Sequence, residues 1–117
     1  MVFNILMDNT DDHEKNHALV RNAAGYYELS PAFDVLPAAQ GLGYQQMRVG
    51  LEGAVSSVDN ALSQAQLFGL DTRAAQNLVQ QMGAVVGGWK DFFVQTSVSA
   101  RDIDELARFI TPKQEVL

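Results

Sequence analysis

Apolar residues recur at helical spacing from Val58 onward, whereas before Val58 they come in short, irregular clusters. Val58, Ala61, Leu62, Ala65 and Phe68 follow the i, i+3, i+4 rule, which predicts a helix opened by a Ser56–Asp59 capping box and closed by Gly69. Asp71 is placed to cap a second helix, whose buried stripe is Ala75, Leu78, Val79, Met82, Val86, Trp89 and Phe93. Ser99 and Asp102 form a capping box for a last helix that buries Ile103, Leu106, Ala107 and Ile110, with Pro112 beyond its end. Residues 56–111 therefore read as a helical scaffold. Gly83, Gly87 and Gly88 read as points where a neighbouring element comes close.

The first half is less regular. Val2 to Met7 is apolar from its first residue, with no cap before it, and reads as the last turns of a buried helix covered by protein outside the 117 residues. Ala18-Leu19-Val20 and Tyr26 to Leu29 flank Arg21 to Gly25, the pattern of a hairpin of two short strands turning near the glycine and ended by Ser30-Pro31. From Phe33 to about Ser56, Pro37, Gly41, Gly43, Gly50 and Gly53 break any period, which predicts a long loop. Gly41-Leu42-Gly43 follows no strand and opens no helix, so it is no dinucleotide fingerprint. The expected fold is mainly α with a small β-hairpin.

Composition narrows the classes of function. A chain of 117 residues holds one domain with one core, and no apolar run approaches the roughly 20 residues that span a bilayer. There is no export signal, so the expected compartment is the cytoplasm. The absence of cysteine rules out disulfides, thiolate metal sites and a cysteine nucleophile. A formal charge of −6 argues against direct nucleic-acid binding, which rests on neutralising phosphates with Lys and Arg.

The chemistry concentrates in Asn9 to His17, NTDDHEKNH, which supports two readings. His13-Glu14-Lys15-Asn16-His17 fits H-E-x-x-H, in which two histidines one helical turn apart hold zinc and the glutamate activates water. That site needs a third ligand, for which Glu28, Asp34 and Glu52 are the candidates, and a stable amphipathic helix that this stretch does not suggest. Asp11 and Asn16 also stand as D-x-x-x-x-N, the spacing of a phosphotransferase loop whose aspartate orients the attacking hydroxyl and whose asparagine binds magnesium. A second magnesium ligand must then come from another loop. Asp34, just past the hairpin that leads back towards Asn16, is so placed.

FNILMDNTDDHEKNHALV, then YYELSPAFDVLP, then NALSQAQLFGL resemble the C-terminal part of HipA-like serine/threonine kinases, the toxins of bacterial toxin–antitoxin pairs. The resemblance runs through essentially the whole chain and is most specific in the Asp11–His13–Asn16 loop followed by Leu29 to Asp34. It implies the helical lobe of a protein-kinase-like fold, with Asp11 as catalytic aspartate, Asn16 and Asp34 as magnesium ligands that place ATP, and His13 as the residue that shapes the loop. His17 reads as structural, and Lys15 as solvated or structural. Asn9-Thr10-Asp11 stands where most protein kinases have His-Arg-Asp, and Phe33-Asp34-Val35 replaces Asp-Phe-Gly, so activation logic built on that arginine and glycine does not transfer. No glycine-rich loop precedes a strand lysine, so the 117 residues are expected to be inactive alone and to need the kinase N-terminal region. The resemblance also implies a protein serine as acceptor, in a translation factor such as an aminoacyl-tRNA synthetase, and a helix-turn-helix antitoxin that makes the DNA contacts. The alternative is a non-catalytic module that binds an antitoxin or a split-kinase partner. Self-association of the isolated chain is expected in either case, because part of its apolar surface is left to be covered.

Overall fold

The structure, a computed structural model, describes residues 1–110. It contains α1 (Val2–Leu6), β1 (Leu19–Arg21), β2 (Tyr27–Leu29), α2 (Val58–Leu62), α3 (Thr72–Gly87), α4 (Trp89–Gln95) and α5 (Ala100–Leu106), with 3₁₀ turns at Glu14–Asn16 and Ala65–Phe68. Mainly α with one hairpin is the observed class. Residue 111, the end of the expected scaffold, and Pro112 lie outside the described residues. Among the described residues no helix is long and apolar enough to cross a membrane.

The core forms where α1 packs on α3. Leu6, Met7, Val86 and Ile110 are buried together, and Phe3, Val58, Met82, Trp89, Phe93 and Leu106 close around them. The apolar run at the start of the chain is thus helical as expected, but Ile5, Leu6 and Met7 are covered by this chain itself. Trp89 and Phe93 meet edge to face at 5.3 Å, which supports the end of this cluster. A five-residue helix has little stability of its own, so α1 exists because of this burial.

Helix α1 stops in a Schellman turn. Asp8 takes a left-handed conformation (φ +52°), its N–H donates to Ile5 O, and the N–H of Asn9 donates to Asn4 O at 2.8 Å. This reversal sends the chain into the polar loop.

The hairpin pairs Leu19 with Leu29, Val20 with Glu28 and Arg21 with Tyr27, one residue later in β1 than the apolar pattern suggested. Its turn is organised locally: Asn22 Oδ1 accepts from the N–H groups of Ala24 and Tyr26, and Gly25 occupies φ +87°. Every strand residue is exposed.

In the second half the expected helix over 58–68 divides. Ser57, not Ser56, caps α2 by accepting from Asn60 N, because Ser56 Oγ is engaged by Gln45 Nε2 at 2.9 Å. Ser63 Oγ then donates to Asn60 O and accepts from Leu51 N, and the helix gives way to the 3₁₀ turn before Gly69 closes it in the left-handed region. The break resets the helical phase, so Phe68, expected in the buried stripe, is 77% exposed. Asp71 caps α3 and Ser99 caps α5 as the sequence predicts. Ala75, Val79, Gly83 and Val86 are buried on α3, whereas Leu78 is half exposed and Gly88 separates α3 from α4.

The long loop from Phe33 to Ser56 hangs on Asn60. That side chain is 2% exposed; its Oδ1 accepts from Glu52 N and its Nδ2 donates to Gly53 O and Val55 O. A Cβ on Gly50 would collide with the backbone oxygen of Asn60, whereas one on Gly53 would meet open space at φ +65°. Gly50→Ala is therefore expected to cost about 3 kcal/mol by overpacking, and Gly53→Ala about 1 kcal/mol of backbone strain. Urea denaturation of both variants checks the order, and equal midpoints would remove Asn60 as the fixed point of the loop.

Candidate functional site

The loop after α1 alternates between core and solvent. Residues 8 to 10 are buried, Asp11 is exposed, and Asp12 turns back inside at 7% exposure. One Asp12 oxygen accepts a hydrogen bond from Asn4 Nδ2 at 2.8 Å, and the other lies 3.1 Å from His17 Nε2. Asn4 Oδ1 in turn accepts from Asn9 Nδ2 at 3.2 Å. A buried carboxylate persists only when its lone pairs are satisfied, and both oxygens of Asp12 are. The network ties α1, the loop and the entry to the hairpin into one unit.

The side chains singled out in the sequence are placed differently. Asp11 is exposed; Asn16, at the end of the 3₁₀ turn, is half-buried; Asp34 is exposed at φ +55°, a left-handed conformation uncommon outside glycine. None of the three side chains makes a hydrogen bond among the described residues. A cleft of about 470 Å³ is lined on one side by Asn4, Asp12, Asn16 and His17 and on the other by Ser30 to Phe33 and Val35. The fold thus brings Asn16 to the segment that carries Asp34, while Asp11 and Asp34 do not line the cleft. Buried polar atoms left without a partner among the described residues are Thr10 Oγ1, His13 Nδ1, Asn16 Nδ2 and Gln45 Oε1, and all but the last belong to this loop. A concentration of unsatisfied polar atoms in one loop marks a place whose bonding the fold does not complete.

A family model described as HipA-like C-terminal domain matches residues 1–89. The chain belongs to this family. Its members are generally parts of toxin–antitoxin systems. The match includes the polar loop, the hairpin, Asp34 and α3, and α5 lies beyond it. No curated protein and no solved structure matches the chain.

In this HipA-like domain the H-E-x-x-H letters do not form a zinc-binding helix. His13 and His17 flank a single 3₁₀ turn and both have extended backbones (φ −126° and −125°), so they are not stacked one α-helical turn apart. His17 is committed to Asp12, and His13 Nδ1 has no hydrogen bond among the described residues. Among those residues no three His, Asp or Glu side chains converge, so Glu28, Asp34 and Glu52 do not complete a set with the histidines. Lys15 is exposed and forms no ion pair among the described residues.

Sequence reasoning singled out neither Asn4, Asp8 nor Asp12. No local signal in the sequence separates the buried Asp12 from the exposed Asp11, because the partners that hold Asp12, Asn4 and His17, are set by the fold. The 117-residue chain is expected to carry no stoichiometric zinc. Elemental analysis finding one zinc per chain, lost in His13→Ala or His17→Ala, would overturn this assignment.

Proposed function

We propose that this HipA-like domain is the metal- and substrate-holding part of an ATP-dependent serine/threonine protein kinase of a toxin–antitoxin pair. One observation carries the reading. Asn4 of α1 and Asp8, Asn9, Asp12 and His17 of the loops are held in side-chain hydrogen bonds. Thr10, His13, Glu14 and Lys15 make none among the described residues, and neither do Asp11, Asn16 and Asp34. Those three are the ones a phosphotransfer loop needs free.

Asp11, exposed and unbonded, accepts the hydrogen bond of an acceptor serine hydroxyl, aims its oxygen, and takes its proton late in the transfer, a task for an ordinary carboxylate. Asn16 and Asp34 offer an amide oxygen and a carboxylate, hard donors that suit magnesium. When bound, magnesium neutralises charge on the phosphates of ATP. The buried Asp12 network keeps Asn16 beside the cleft, and His13, half-buried in the same loop, helps hold its shape. The domain forms the helical lobe of a kinase-like fold and works in the cytoplasm with the kinase N-terminal region, a helix-turn-helix antitoxin and a protein substrate. With a charge of −6 it makes no direct nucleic-acid contact.

The second reading, a non-catalytic module that engages an antitoxin or split-kinase partner, draws on an apolar groove of about 590 Å³ bounded by Val2, Leu62, Phe68, Leu78, Val79 and Met82. This groove and the exposed Leu19, Tyr26, Tyr27 and Leu29 of the hairpin leave large apolar surfaces in water. The isolated chain is accordingly expected to self-associate, and light scattering that shows a monodisperse monomer at high concentration would contradict this.

The two readings separate by activity. Phosphoryl transfer is mostly positioning and electrostatics, so the 117-residue chain is expected to transfer labelled phosphate to a protein serine at background rate. Supplying the N-terminal region of a HipA-like kinase, in trans or fused ahead of Met1, is expected to restore transfer. In the assembled enzyme Asp11→Ala and Asp34→Asn should each lower kcat by at least about 10²-fold, while His17→Ala leaves most of it, because the imidazole is half exposed, water can take its place beside Asp12, and the bond from Asn4 remains. Transfer that survives Asp11→Ala removes the catalytic role of Asp11, and an assembled complex with no transfer at all favours the binding module.

A further inference from the structure

Asp8 connects the two loops. It is 9% exposed, and Asp8 Oδ2 accepts from the backbone N–H groups of both Gln40 and Gly41 at 3.0 Å. Its carbonyl oxygen accepts from Ala38 N at 2.9 Å. Ala39 (φ +52°) and Gly41 (φ +58°) are left-handed, which turns neighbouring amides towards one point and makes a nest for an anion. Here the anion is a side chain of the same protein. Asp8 itself sits at φ +52°, the position after a helix end where glycine is least strained. An aspartate there carries backbone strain and a buried charge, and among the described residues it has no ion-pair partner. Both are offset by what the carboxylate holds, since bonds from amides to a charged acceptor are the stronger kind.

The segment so held follows Asp34 closely, and Asp8 stands just ahead of Asp11 in the chain. We propose that Asp8 is a positioning residue: its carboxylate fixes the segment bearing Asp34 against the loop bearing Asp11 and Asn16, and so sets the spacing of the two magnesium ligands. This rests on the kinase reading for the role of those ligands, but not for the clamp. Asp12 cannot do the same, because its bonds run to Asn4 and His17 on the catalytic-loop side. A loop without a strand or helix to fix it, as 30–43 is, has few other long-range backbone anchors.

The test is solution NMR on the 117-residue chain with Mn²⁺ as probe. In the wild type, scalar couplings across the hydrogen bonds from the Gln40 and Gly41 amides to the Asp8 carboxylate carbon are expected. Asp8→Gly keeps the left-handed backbone and deletes the carboxylate. It should speed hydrogen exchange at Gln40 and Gly41 at least about tenfold, with less effect at Ala38, and weaken Mn²⁺ binding by a similar factor. Mn²⁺ bound at Asn16 should then broaden the Asp34 resonances less, relative to those of Asn16, than it does in the wild type. Asp8→Asn, which tolerates the same backbone and keeps an acceptor oxygen, should restore most of the affinity. Mn²⁺ affinity and joint broadening unchanged in Asp8→Gly would overturn the positioning role. If the wild type shows no broadening in either loop, the metal reading fails and the positioning role with it, while the couplings and the exchange at Gln40 and Gly41 decide whether the clamp exists. The couplings need no variant, so their absence overturns the clamp even if Asp8→Gly fails to fold.

Discussion

Burial of Leu6 against Met7, Val86 and Ile110 is the contact on which the rest of the site depends. Leu6 has no exposed surface, and deleting a side chain like it from a packed core typically costs about 2–5 kcal/mol. Because α1 has only five residues, that burial decides both that the helix forms and where it ends. The Schellman turn at Asp8 then fixes the direction in which the chain leaves, and the polar loop starts from a rigid base. A site built on the end of a short helix is firm only when the helix is plugged into something larger, and α3 is that larger element.

From this base the polar residues divide by physical necessity. Asn4, Asp8, Asn9, Thr10 and Asp12 are buried, and burial obliges a polar group to find a partner. All but Thr10 do so within α1 and the two loops, and this wiring ties the loops to each other and to the helix. Asp11 and Asp34 stay at the surface, where a carboxylate needs no partner, and Asp34 keeps a strained backbone conformation that nothing in its own hydrogen bonding explains. Residual strain of about 1–3 kcal/mol at such a residue persists only where the surroundings impose it. The pinning of Ala38, Gln40 and Gly41 is such a constraint.

The readable parts of the sequence were those whose cause is local. Asp71 and Ser99 cap the helices they precede, Gly69 takes the left-handed closing position, and Gly25 turns the hairpin, each within a few residues of its partner. Capping of α2 escaped by one residue because Ser56 and Ser57 are equally suited to it, and the choice was made by Gln45, eleven residues away. The break at Ser63 escaped for the same reason: its hydroxyl answers Leu51 as well as Asn60. At the site, Asp11, Asn16 and Asp34 were legible as residue types at a spacing, while Asn4, Asp8 and Asp12 were not, because what they do is defined only by distant partners.

The two sides of the molecule are therefore held by different forces. The helical side rests on apolar burial, which is non-directional and tolerates small shifts. The site side rests on hydrogen bonds among loops and on a two-stranded hairpin that buries no face, and such a hairpin alone is marginal in water. Its register comes from Asn22 and Gly25 at the turn and from Ser30 N donating to Ala18 O at the open end. Loss of the Leu6 contact would take away the base from which the polar loop starts, whereas loss of one carboxylate at the junction of the loops would leave the core intact. Dependence therefore runs one way: the site geometry needs the packed core beneath α1, while the core does not rest on the hydrogen bonds of the loops.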